Sequence, residues 1–435
     1  MSRKKTILVL YYSRGVFPLR DTVHNLLYSW KKYSRHNIIY INIAFGFPTR
    51  IIKKLNIDVI IFHTLFLGMR WDLNIFKKNV LKCSMLKDMI CTKIAMPQDE
   101  FIHTSTLNDF INDFGITYIM TCSSEPDWKI IYDKVDFKKV SFITVLTGYL
   151  DPGTIRRIKR LNDKVRKRDI DIGYRAWDAE YWLGEHGMHK VWVADIVKKE
   201  AQGLGYHTDI SLKASDVLAG DKWFEFLLRC KTTIGVEGGA SIIDKDGKIR
   251  ERVNMYLSQH PYATFHGVKR ECFPYEDNKL GLACISPRHL EACATETCQL
   301  LIEGKYNDIL IPWKHYIPIK KDYSNIDGVL ELIRDQNKCR TIAKEAYKDI
   351  VESKKWTYPA FIRHIEASLI DIIQIHDRHN KTKIEGILRT IINIKDIFNW
   401  VFIIWETKSI ARKMAYKIYH FTRRSARSLK LIIFR

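Results

Sequence analysis

The chain has 435 residues, a 46% apolar and 12% aromatic composition, and a formal net charge of +22. This length accommodates two or three domains that each bury a core, and so much apolar and aromatic content excludes general disorder. The excess of positive charge indicates a polyanionic partner, which could be a membrane surface, a nucleic acid or an acidic polymer.

Nine cysteines are scattered along the chain, and no CxxC pair occurs among them. Met1 leads through a basic stretch at 3–5 into a strand-like apolar run, not into a signal peptide. An odd number of cysteines without a leader favours reduced thiols in a cytosolic protein. Cys284, Cys293 and Cys298 could form a zinc site, but their spacing matches no known ligand pattern, so we expect buried structural cysteines.

Short apolar runs alternate with amphipathic stretches over the first 150 residues. Strands are predicted at 7–12, 37–43, 58–66, 93–96, 116–122 and 140–147. Helices are predicted at 20–32, 48–55, 71–88 and 106–114. Strands that alternate with helices at this spacing predict βαβ units and a parallel sheet.

Turn-forming residues at 148–153 predict the joint between two domains, and a second alternating series follows it. Its strands are predicted at 169–174, 207–210, 232–236, 283–285 and 299–302. Its helices are predicted at 192–204, 222–230, 325–335 and 338–353. The polar stretch 245–278 is predicted to be an insertion over the cleft between the domains. The predicted fold class is α/β, with Rossmann-like domains at 1–150 and 151–370 facing each other across a cleft.

The region 371–435 has a different character. From Arg378 to the C-terminus there are 14 Lys and Arg against three acidic residues. The apolar run 397–405 is far too short to span a bilayer, which takes about 20 residues. Further apolar residues recur at helical spacing between basic ones: Ile410, Met414, Ile418 and Phe421. This pattern, with Trp400 and Trp405, predicts a basic amphipathic helical tail that associates with a membrane. The alternative is a helical hairpin packed on the protein body, with its basic residues simply solvated.

The segment 285–306, ISPRHLEACATETCQLLIEGKY, has a strand–turn–helix–strand pattern. An apolar run ends at Ser286 and Pro287, a helix is predicted to begin at His289, and a second apolar run stops before Gly304. A helix that begins directly after a strand presents free backbone N–H groups, which favour a phosphate. A carboxylate in the first turns of such a helix can accept hydrogen bonds from a neighbouring ribose.

This segment resembles the donor-binding segment of group 1 glycosyltransferases, which have the two-Rossmann (GT-B) fold. Downstream motifs extend the resemblance: His315-Tyr316-Ile317-Pro318, Asp322-Tyr323-Ser324-Asn325, Ala346-Tyr347 and residues 358–361. Together they are similar to the C-terminal region of bacterial surface-polysaccharide and spore-maturation-type glycosyltransferases, over residues 165–370. The N-terminal part of the chain matches this family only in general layout.

Three residues of the segment receive roles from this resemblance. It implies that Glu291 binds the donor ribose and that Arg288 contacts the diphosphate. His289 is either a ligand or a packing residue at the start of the helix. The chain departs from the retaining group at Ala283, where a first glutamate is expected, so the stereochemical outcome and the sugar contact of that glutamate stay open.

Two further loops are candidates for donor binding. Arg175 ends a predicted strand, and the resemblance implies a phosphate contact; the alternative is a surface arginine that caps the sheet. The loop after strand 232–236 contributes Glu237, Gly238, Gly239 and Ser241. Its glycines allow a ligand to approach the backbone closely, or else they serve a tight turn.

Candidate catalytic bases follow two strands of the first domain. Asp99 and Glu100 come directly after the strand 93–96, and His63 lies near the end of the strand predicted at 58–66. Side chains just past the carboxyl end of a parallel strand point toward the cleft, where a base could deprotonate an acceptor hydroxyl. The alternative for each residue is a helix cap or a loop salt bridge.

The expected function is therefore that of a glycosyltransferase. It would transfer a sugar from a nucleotide-sugar donor to a glycan or lipid-linked acceptor in bacterial cell-surface glycan biosynthesis. We expect no cofactor and no metal, a cytoplasmic location at the inner face of the membrane, contact with the anionic membrane surface through the C-terminal tail, and no nucleic acid. The alternatives are a nucleic-acid-binding protein, or a catalytically inactive Rossmann scaffold at the membrane; no zinc-finger spacing or RNP-type motif supports the former.

Overall fold

The computed structural model describes residues 4–14, 19–165, 167–373 and 385–408. Its strands are β1 (Thr6–Tyr11), β2 (Asn37–Asn42), β3 (Val59–Phe62), β4 (Thr92–Ala95), β5 (Tyr118–Thr121), β6 (Ser141–Thr144), β7 (Ile170–Arg175), β8 (Thr208–Ser211), β9 (Cys230–Gly235), β10 (Gly238–Ala240), β11 (Leu282–Cys284), β12 (Cys298–Ile302) and β13 (Ile317–Ile319). Its α-helices are α1 (Asp21–Tyr33), α2 (Thr49–Ile52), α3 (Thr64–Leu67), α4 (Leu73–Lys82), α5 (Thr104–Phe114), α6 (Glu125–Ile131), α7 (Pro152–Asn162), α8 (Gly184–Gly203), α9 (Asp221–Arg229), α10 (Lys248–Gln259), α11 (Phe265–Cys272), α12 (Pro287–Ala294), α13 (Ile326–Leu332), α14 (Gln336–Ala346), α15 (Tyr358–Ile373) and α16 (385–408).

The N-terminal domain is built on a parallel sheet of six strands in the order β2-β1-β3-β4-β5-β6. Every residue of β1 is buried, because helices cover both faces of the sheet. Leu8 and Leu10 face one core, whereas Val9 and Tyr11 face the other. The strand order reverses between β1 and β3, and such a reversal is where ligands bind in open α/β sheets.

The second domain is built on a parallel sheet of five strands in the order β13-β12-β9-β7-β8. The predicted fold class, two Rossmann-like domains facing across a cleft (GT-B), is therefore confirmed. The strands β10 and β13 were not predicted. β11, expected to be a member of the parallel sheet, instead pairs antiparallel with β10.

The insertion predicted at 245–278 contains two helices, α10 and α11. Their apolar side chains Ile249, Val253 and Phe265 join the hydrophobic core of the N-terminal domain. The backbone N–H of Asp244 donates to the carbonyl of Phe101 at 2.7 Å, in a short parallel bridge between the domains. The insertion therefore ties the second domain to the first.

After the second domain the chain returns to the N-terminal domain. The hydroxyl of Tyr358, at the start of α15, donates to the carbonyl of Thr22 at 3.1 Å, and Phe361 packs edge-on against Trp30. α16 then lies along the edge strand β2. The described part of the predicted tail 371–435 is thus helical, but it packs on the N-terminal domain.

The basic stretch beyond residue 408, with Ile410, Met414, Ile418 and Phe421, lies outside the described residues. Trp400, predicted to sit at a membrane interface, instead stacks on Tyr11 with ring centroids 6.4 Å apart. Within the residues that the structure describes, no helix combines the length and the apolar character needed to cross a bilayer.

Gly239 is required by the close approach of β10 and β11. Its φ of 134° lies in a region that L-residues rarely adopt, and a Cβ there would meet the carbonyl oxygen of Leu282 at 1.9 Å. Gly239 is therefore needed for the backbone geometry of this loop. This corresponds to the alternative in which the glycines serve a tight turn.

We expect Gly239→Ala to lower the free energy of unfolding by about 2–4 kcal/mol, because the added methyl group forces the two strands apart. Urea denaturation measures the change. The matched control is Gly328→Ala in α13, where nothing lies within 4 Å of the added Cβ. That variant should be as stable as the parent or up to about 1 kcal/mol more stable. Equal stability of the two variants would contradict the proposed clash.

Candidate active site

A cavity of about 520 Å³ lies between the two domains. The N-terminal domain contributes the start of α1, and the second domain contributes the ends of β7 and β9, the loop after β8, α9 and the start of α12. The charged residues that line it are Arg20, Asp21, Arg175, Lys190, Lys213, Asp216, Arg288 and Glu291. Five of these eight side chains are cationic, so the cavity is suited to an anionic ligand.

The start of α12 forms one wall of the cavity. Pro287 occupies the first turn, where its missing N–H costs nothing, and Nδ1 of His289 accepts the backbone N–H of Ser286 at 3.0 Å. Burial lowers the pKa of His289 to about 3, so the imidazole is neutral and acts as an acceptor. This contact closes the N-terminus of the helix, as the packing alternative supposes, and the same side chain also lines the cavity.

Arg288 and Glu291 meet at one side chain that the sequence analysis missed, Trp223 of α9. The guanidinium of Arg288 lies over the indole ring, 5.4 Å from its centroid, and the indole N–H donates to Oε2 of Glu291 at 2.8 Å. Trp223 therefore holds the two residues predicted for the diphosphate and the ribose on one surface. Nothing in its apolar surroundings in the sequence distinguishes it from a core tryptophan.

Glu291 is 8% exposed. Burial raises the pKa of its carboxyl from 4.5 to about 7, against the opposing effects of the Trp223 hydrogen bond and the positive charge of Arg288. Near neutral pH the group is therefore divided between its protonated and ionised forms. A carboxyl in this state can either donate or accept a hydrogen bond from a ligand hydroxyl.

Arg175 lines the cavity, as predicted, but its guanidinium is already engaged. It pairs with Oδ1 of Asp209 at 2.7 Å, donates to the Asp209 carbonyl at 2.8 Å and lies over the ring of Phe226. These contacts give it a role in holding β7 to β8. A phosphate contact would have to compete with Asp209.

Lys190 is a cavity residue that the sequence analysis missed. It lies on α8, which begins at Gly184, about two turns before the helix predicted at 192–204, so Lys190 precedes the predicted helix. Burial lowers the pKa of its ammonium group, and Arg288 is close enough to contribute to the same shift. The half-buried Lys190 and the exposed Arg288 together concentrate positive charge beside the start of α12.

The loop after β9 contributes less to the cavity than predicted. Gly238 lines it. Glu237 instead accepts the backbone N–H groups of Lys305 and Tyr306, and the hydroxyl of Ser241 donates to Asp277 at 2.6 Å. Glu237 and Ser241 are thus buried structural residues that hold neighbouring loops.

Asp99 lies in the loop after β4 with a φ of 53°, an uncommon conformation for a residue other than glycine. The fully buried Arg70 fixes this loop by donating to the carbonyl oxygens of Gln98 and Asp99 at 2.5 Å each. The side chain of Asp99 is exposed at its surface and accepts the indole N–H of Trp71 at 3.3 Å, and desolvation by the surrounding protein raises the pKa of its carboxyl. Lys190, which lines the cavity, acts electrostatically on this carboxyl, while Asp99 itself lies outside the cavity lining.

The other two candidate bases lie inside the N-terminal domain. Glu100 is fully buried and accepts hydrogen bonds from Tyr132, Thr121 and the backbone N–H of Cys122. His63 is fully buried, caps α3 by accepting the N–H of Leu65, and has a pKa lowered to about 3 by burial. Neither side chain is among those that line the cavity, and both are held by groups of the N-terminal domain itself.

Metal-ligand clusters were sought among His, Cys, Asp and Glu side chains. In the described ranges, no group of three or more such residues is placed to hold a metal ion. Cys284, Cys293 and Cys298 are free, buried thiols, which is the packing role expected for them.

Comparisons with known proteins give structural similarity alone. No protein-family model matches the chain, and no curated protein matches it. Similar solved structures include HepE from Anabaena in complex with UDP-glucose (9% identity, TM-score 0.44, covering 84% of this chain and 99% of that one). A glycosyltransferase from Rickettsia africae ESF-5 has 11% identity and a TM-score of 0.46, covering 86% of this chain and all of that one. Sucrose-phosphate synthase from Thermosynechococcus elongatus has 11% identity and a TM-score of 0.44 with the same coverage. At these sequence identities and TM-scores, the similarity gives no evidence about function. Evidence about function has to come from the residues of the cleft.

The raised pKa of Glu291 predicts a pH-dependent stability. The folded protein retains a proton that the unfolded chain loses above pH 4.5, so stability falls as the pH rises from 4.5 through about 7. The loss amounts to about 3 kcal/mol at 1.36 kcal/mol per pKa unit. In Glu291→Gln this loss is absent, so the variant should gain stability relative to the parent as the pH rises from 4.5 to 8.

Thermal unfolding across this pH range tests the prediction. The matched control is Glu225→Gln, which removes an exposed carboxylate from α9, the helix that carries Trp223. A stability difference between Glu291→Gln and the parent that stays constant with pH would show that Glu291 is not the titrating group.

Proposed function

We propose that this protein is a glycosyltransferase that moves a sugar from a nucleotide-sugar donor to an acceptor in bacterial cell-surface glycan assembly. The acceptor would be a glycan or a lipid-linked precursor at the inner face of the cytoplasmic membrane, as in capsule or O-antigen biosynthesis. The observation that carries the proposal is the arrangement of Arg288, Trp223 and Glu291 at the start of α12, in a cationic cavity between two Rossmann-like domains.

The donor would bind with its nucleotide against the second domain. Glu291 is positioned to hydrogen-bond ribose hydroxyls, while the diphosphate would lie by the N–H groups at the start of α12. Arg288 and Lys190 supply positive charge at that place. Preorganised charge of this kind stabilises the negative charge that develops on the departing diphosphate, which is usually the largest single contribution to catalysis.

The acceptor would enter from the N-terminal domain, where Asp99 is the remaining candidate base. Its raised pKa brings it nearer to the operating pH, as suits a general base. The backbone of its loop is fixed by Arg70, so the carboxylate is held in position before the acceptor arrives. Lys190, close to Asp99, would favour the ionised form of the carboxylate that accepts the proton.

We expect Glu291→Ala to weaken nucleotide-sugar binding ten- to a hundredfold, because it removes a hydrogen bond between a charged group and the ribose. A thermal-shift screen against UDP-, GDP-, CMP- and TDP-sugars identifies the donor, and calorimetric titration then measures its Kd. Glu225→Ala on the exposed side of α9 is the control and should bind like the parent. Unchanged donor affinity in Glu291→Ala would remove this residue from the site.

Arg288→Ala should weaken binding of the nucleoside diphosphate more than binding of the nucleoside, because its expected partner is the phosphate. The two affinities are measured by titration of the same variant. An equal loss for both ligands would contradict a phosphate contact and would indicate that Arg288 acts by supporting Trp223.

Asp99→Asn should lower kcat for transfer by a factor of about 10²–10⁴ with an unchanged donor Kd, since the amide cannot take a proton from the acceptor. The rise of activity with pH that reports ionisation of this carboxyl should also disappear. Asp113→Asn, which removes an exposed carboxylate of the same domain, is the control. A variant at Asp99 with parental kcat would exclude it as the base.

A further inference from the structure

α16 has two opposite faces of different character. Its inner face is buried against the N-terminal domain, whereas its outer face is apolar and exposed. Of the twenty exposed large apolar side chains among the described residues, eight belong to this one helix: Ile387, Ile391, Ile394, Ile397, Phe398, Val401, Phe402 and Trp405. The side chains of Phe398 and Trp405 are 68% and 64% exposed. Isolated exposed apolar residues are normal on protein surfaces, but a concentration of this kind marks an interaction surface.

The spacing of these residues makes a continuous stripe. Positions 387, 391, 394, 398, 401 and 405 are separated by four and three residues in turn, so they share one side of the helix. The stripe extends from Ile387 to Trp405, which is 18 residue steps or about 27 Å at 1.5 Å per step. The aromatic side chains Phe398, Phe402 and Trp405 lie toward its C-terminal end.

The inner face fixes the direction in which the stripe points. Asp396 is buried and accepts the hydroxyls of Tyr11 at 2.7 Å and Tyr28 at 3.2 Å. Asn393 donates to the carbonyl of Ile38 and accepts the N–H of Tyr40, so it satisfies the outer edge of β2. Because an unpaired sheet edge would invite aggregation, covering it is a structural role for α16. The helix is therefore part of the domain, and the stripe faces outward.

Positive charge surrounds the stripe. At its C-terminal end, Arg14 pairs with Glu406 at 3.5 Å, and Arg14 and Lys78 both lie within electrostatic range of Lys82. At its N-terminal end, Glu385 accepts the N–H of Asn56, next to the exposed lysines at 53 and 54. The segment 409–435 lies outside the described residues, and its sequence has eight basic residues and no acidic ones: Arg412, Lys413, Lys417, Arg423, Arg424, Arg427, Lys430 and Arg435.

We infer that the outer face of α16 is the surface by which the protein lies on an anionic lipid bilayer. The apolar stripe would sit at the boundary between headgroups and acyl chains, and the basic residues around it would contact lipid phosphates. A second copy of the chain fits this face less well, because a two-fold contact would bring positive ends together. This surface is where a glycosyltransferase would meet a lipid-linked acceptor. Only that role of the surface rests on the proposed function.

The orientation of α16 determines where the cleft would lie when the protein is docked on a bilayer. The helix runs parallel to β1, from Arg389 near Thr6 at the start of that strand to Glu406 near Arg14 beyond its end. The carboxyl ends of the parallel strands face the cleft. When the protein is docked through α16, the cleft would therefore lie at the level of the bilayer surface. Its opening would face along that surface, within reach of a lipid-linked acceptor.

The test compares two triple variants of the full-length protein by co-sedimentation with vesicles of phosphatidylcholine alone and of phosphatidylcholine with phosphatidylglycerol. The first, Phe398→Gln, Val401→Gln and Trp405→Gln, makes the stripe polar. The second, Met255→Gln, Tyr262→Gln and Tyr275→Gln, removes three exposed apolar side chains of the insertion. We expect the first to bind anionic vesicles at least tenfold more weakly than the parent, and the second to bind like the parent.

Added salt separates the two contributions to binding. The parent should keep a salt-resistant fraction on anionic vesicles, supplied by the stripe, and the stripe variant should lose it. Parental binding by the stripe variant at all salt concentrations would overturn the inference. A concentration-dependent dimer in sedimentation velocity that the stripe variant abolishes would also overturn it, in favour of a second copy.

Two controls keep the outcome interpretable. The three substituted side chains are exposed, so the melting temperature should stay within a few degrees of that of the parent; if it falls further, Phe398→Gln alone replaces the triple variant. Donor binding should be unchanged in the stripe variant. Loss of donor binding in every form of the protein, with membrane binding intact, would count against the proposed function and leave the docking surface standing.

Discussion

The antiparallel contact between β10 and β11 is the constraint on which the cleft depends. β11 continues directly into Ser286 and α12, so its position fixes the start of that helix. β10 follows Glu237, whose carboxylate holds the turn at Lys305 and Tyr306 after β12. Three loops that follow separate strands are thus fixed to one another. The contact requires the absence of a side chain at Gly239, which is why a single methyl group there is expected to disturb the site.

Carboxyl groups whose pKa is raised fall into two kinds among the described residues, and their hydrogen bonds distinguish them. Glu100 and Glu237 each accept with both oxygens from groups of the protein itself, and their pKa values are raised by burial. Glu291, which lines the cavity, and Asp99, which is exposed in the loop after β4, each accept one indole N–H. A raised pKa alone therefore does not identify a functional residue. Position beside the cavity, together with the hydrogen-bonding pattern, separates the candidates from the structural residues.

The C-terminal region combines the two alternatives that its sequence left open. α16 packs on the protein, as a hairpin would, and the same helix presents an apolar face outward, as an interfacial helix would. Asp396 has a pKa raised by burial, and its carboxyl group links α16 to β1 and α1. Because α1 begins at the cavity, the helix proposed to meet the membrane and a helix that lines the cavity share one buried contact.

The sequence by itself determined the two Rossmann-like domains, since alternating runs of apolar strands and amphipathic helices are local patterns that follow from burial on a sheet. It also located Arg288 and Glu291, because the helix after a strand is recognisable from the residues 285–306. Tertiary structure alone decided the partners of these residues. Trp223 lies 68 positions from Glu291 in the chain, and only the packing of α9 against α12 brings their side chains together.

Tertiary packing also explains where the structure differs from the sequence predictions. Glu100 and Asp99 are adjacent in sequence, and the backbone conformation of one loop turns one into the core and leaves the other beside the cleft. Lys190 was missed because Gly184 and Gly187 weaken the helical pattern of the sequence at the first turns of α8. In the folded protein, neighbouring elements stabilise these turns. The apolar run at 397–405 showed that a helix there would have an apolar side. Which of its residues are buried depends on the surface formed by Tyr11, Tyr28 and the edge of β2. Local pattern fixes an element and its periodicity, whereas the identity of the buried face is set by residues that are distant in the chain.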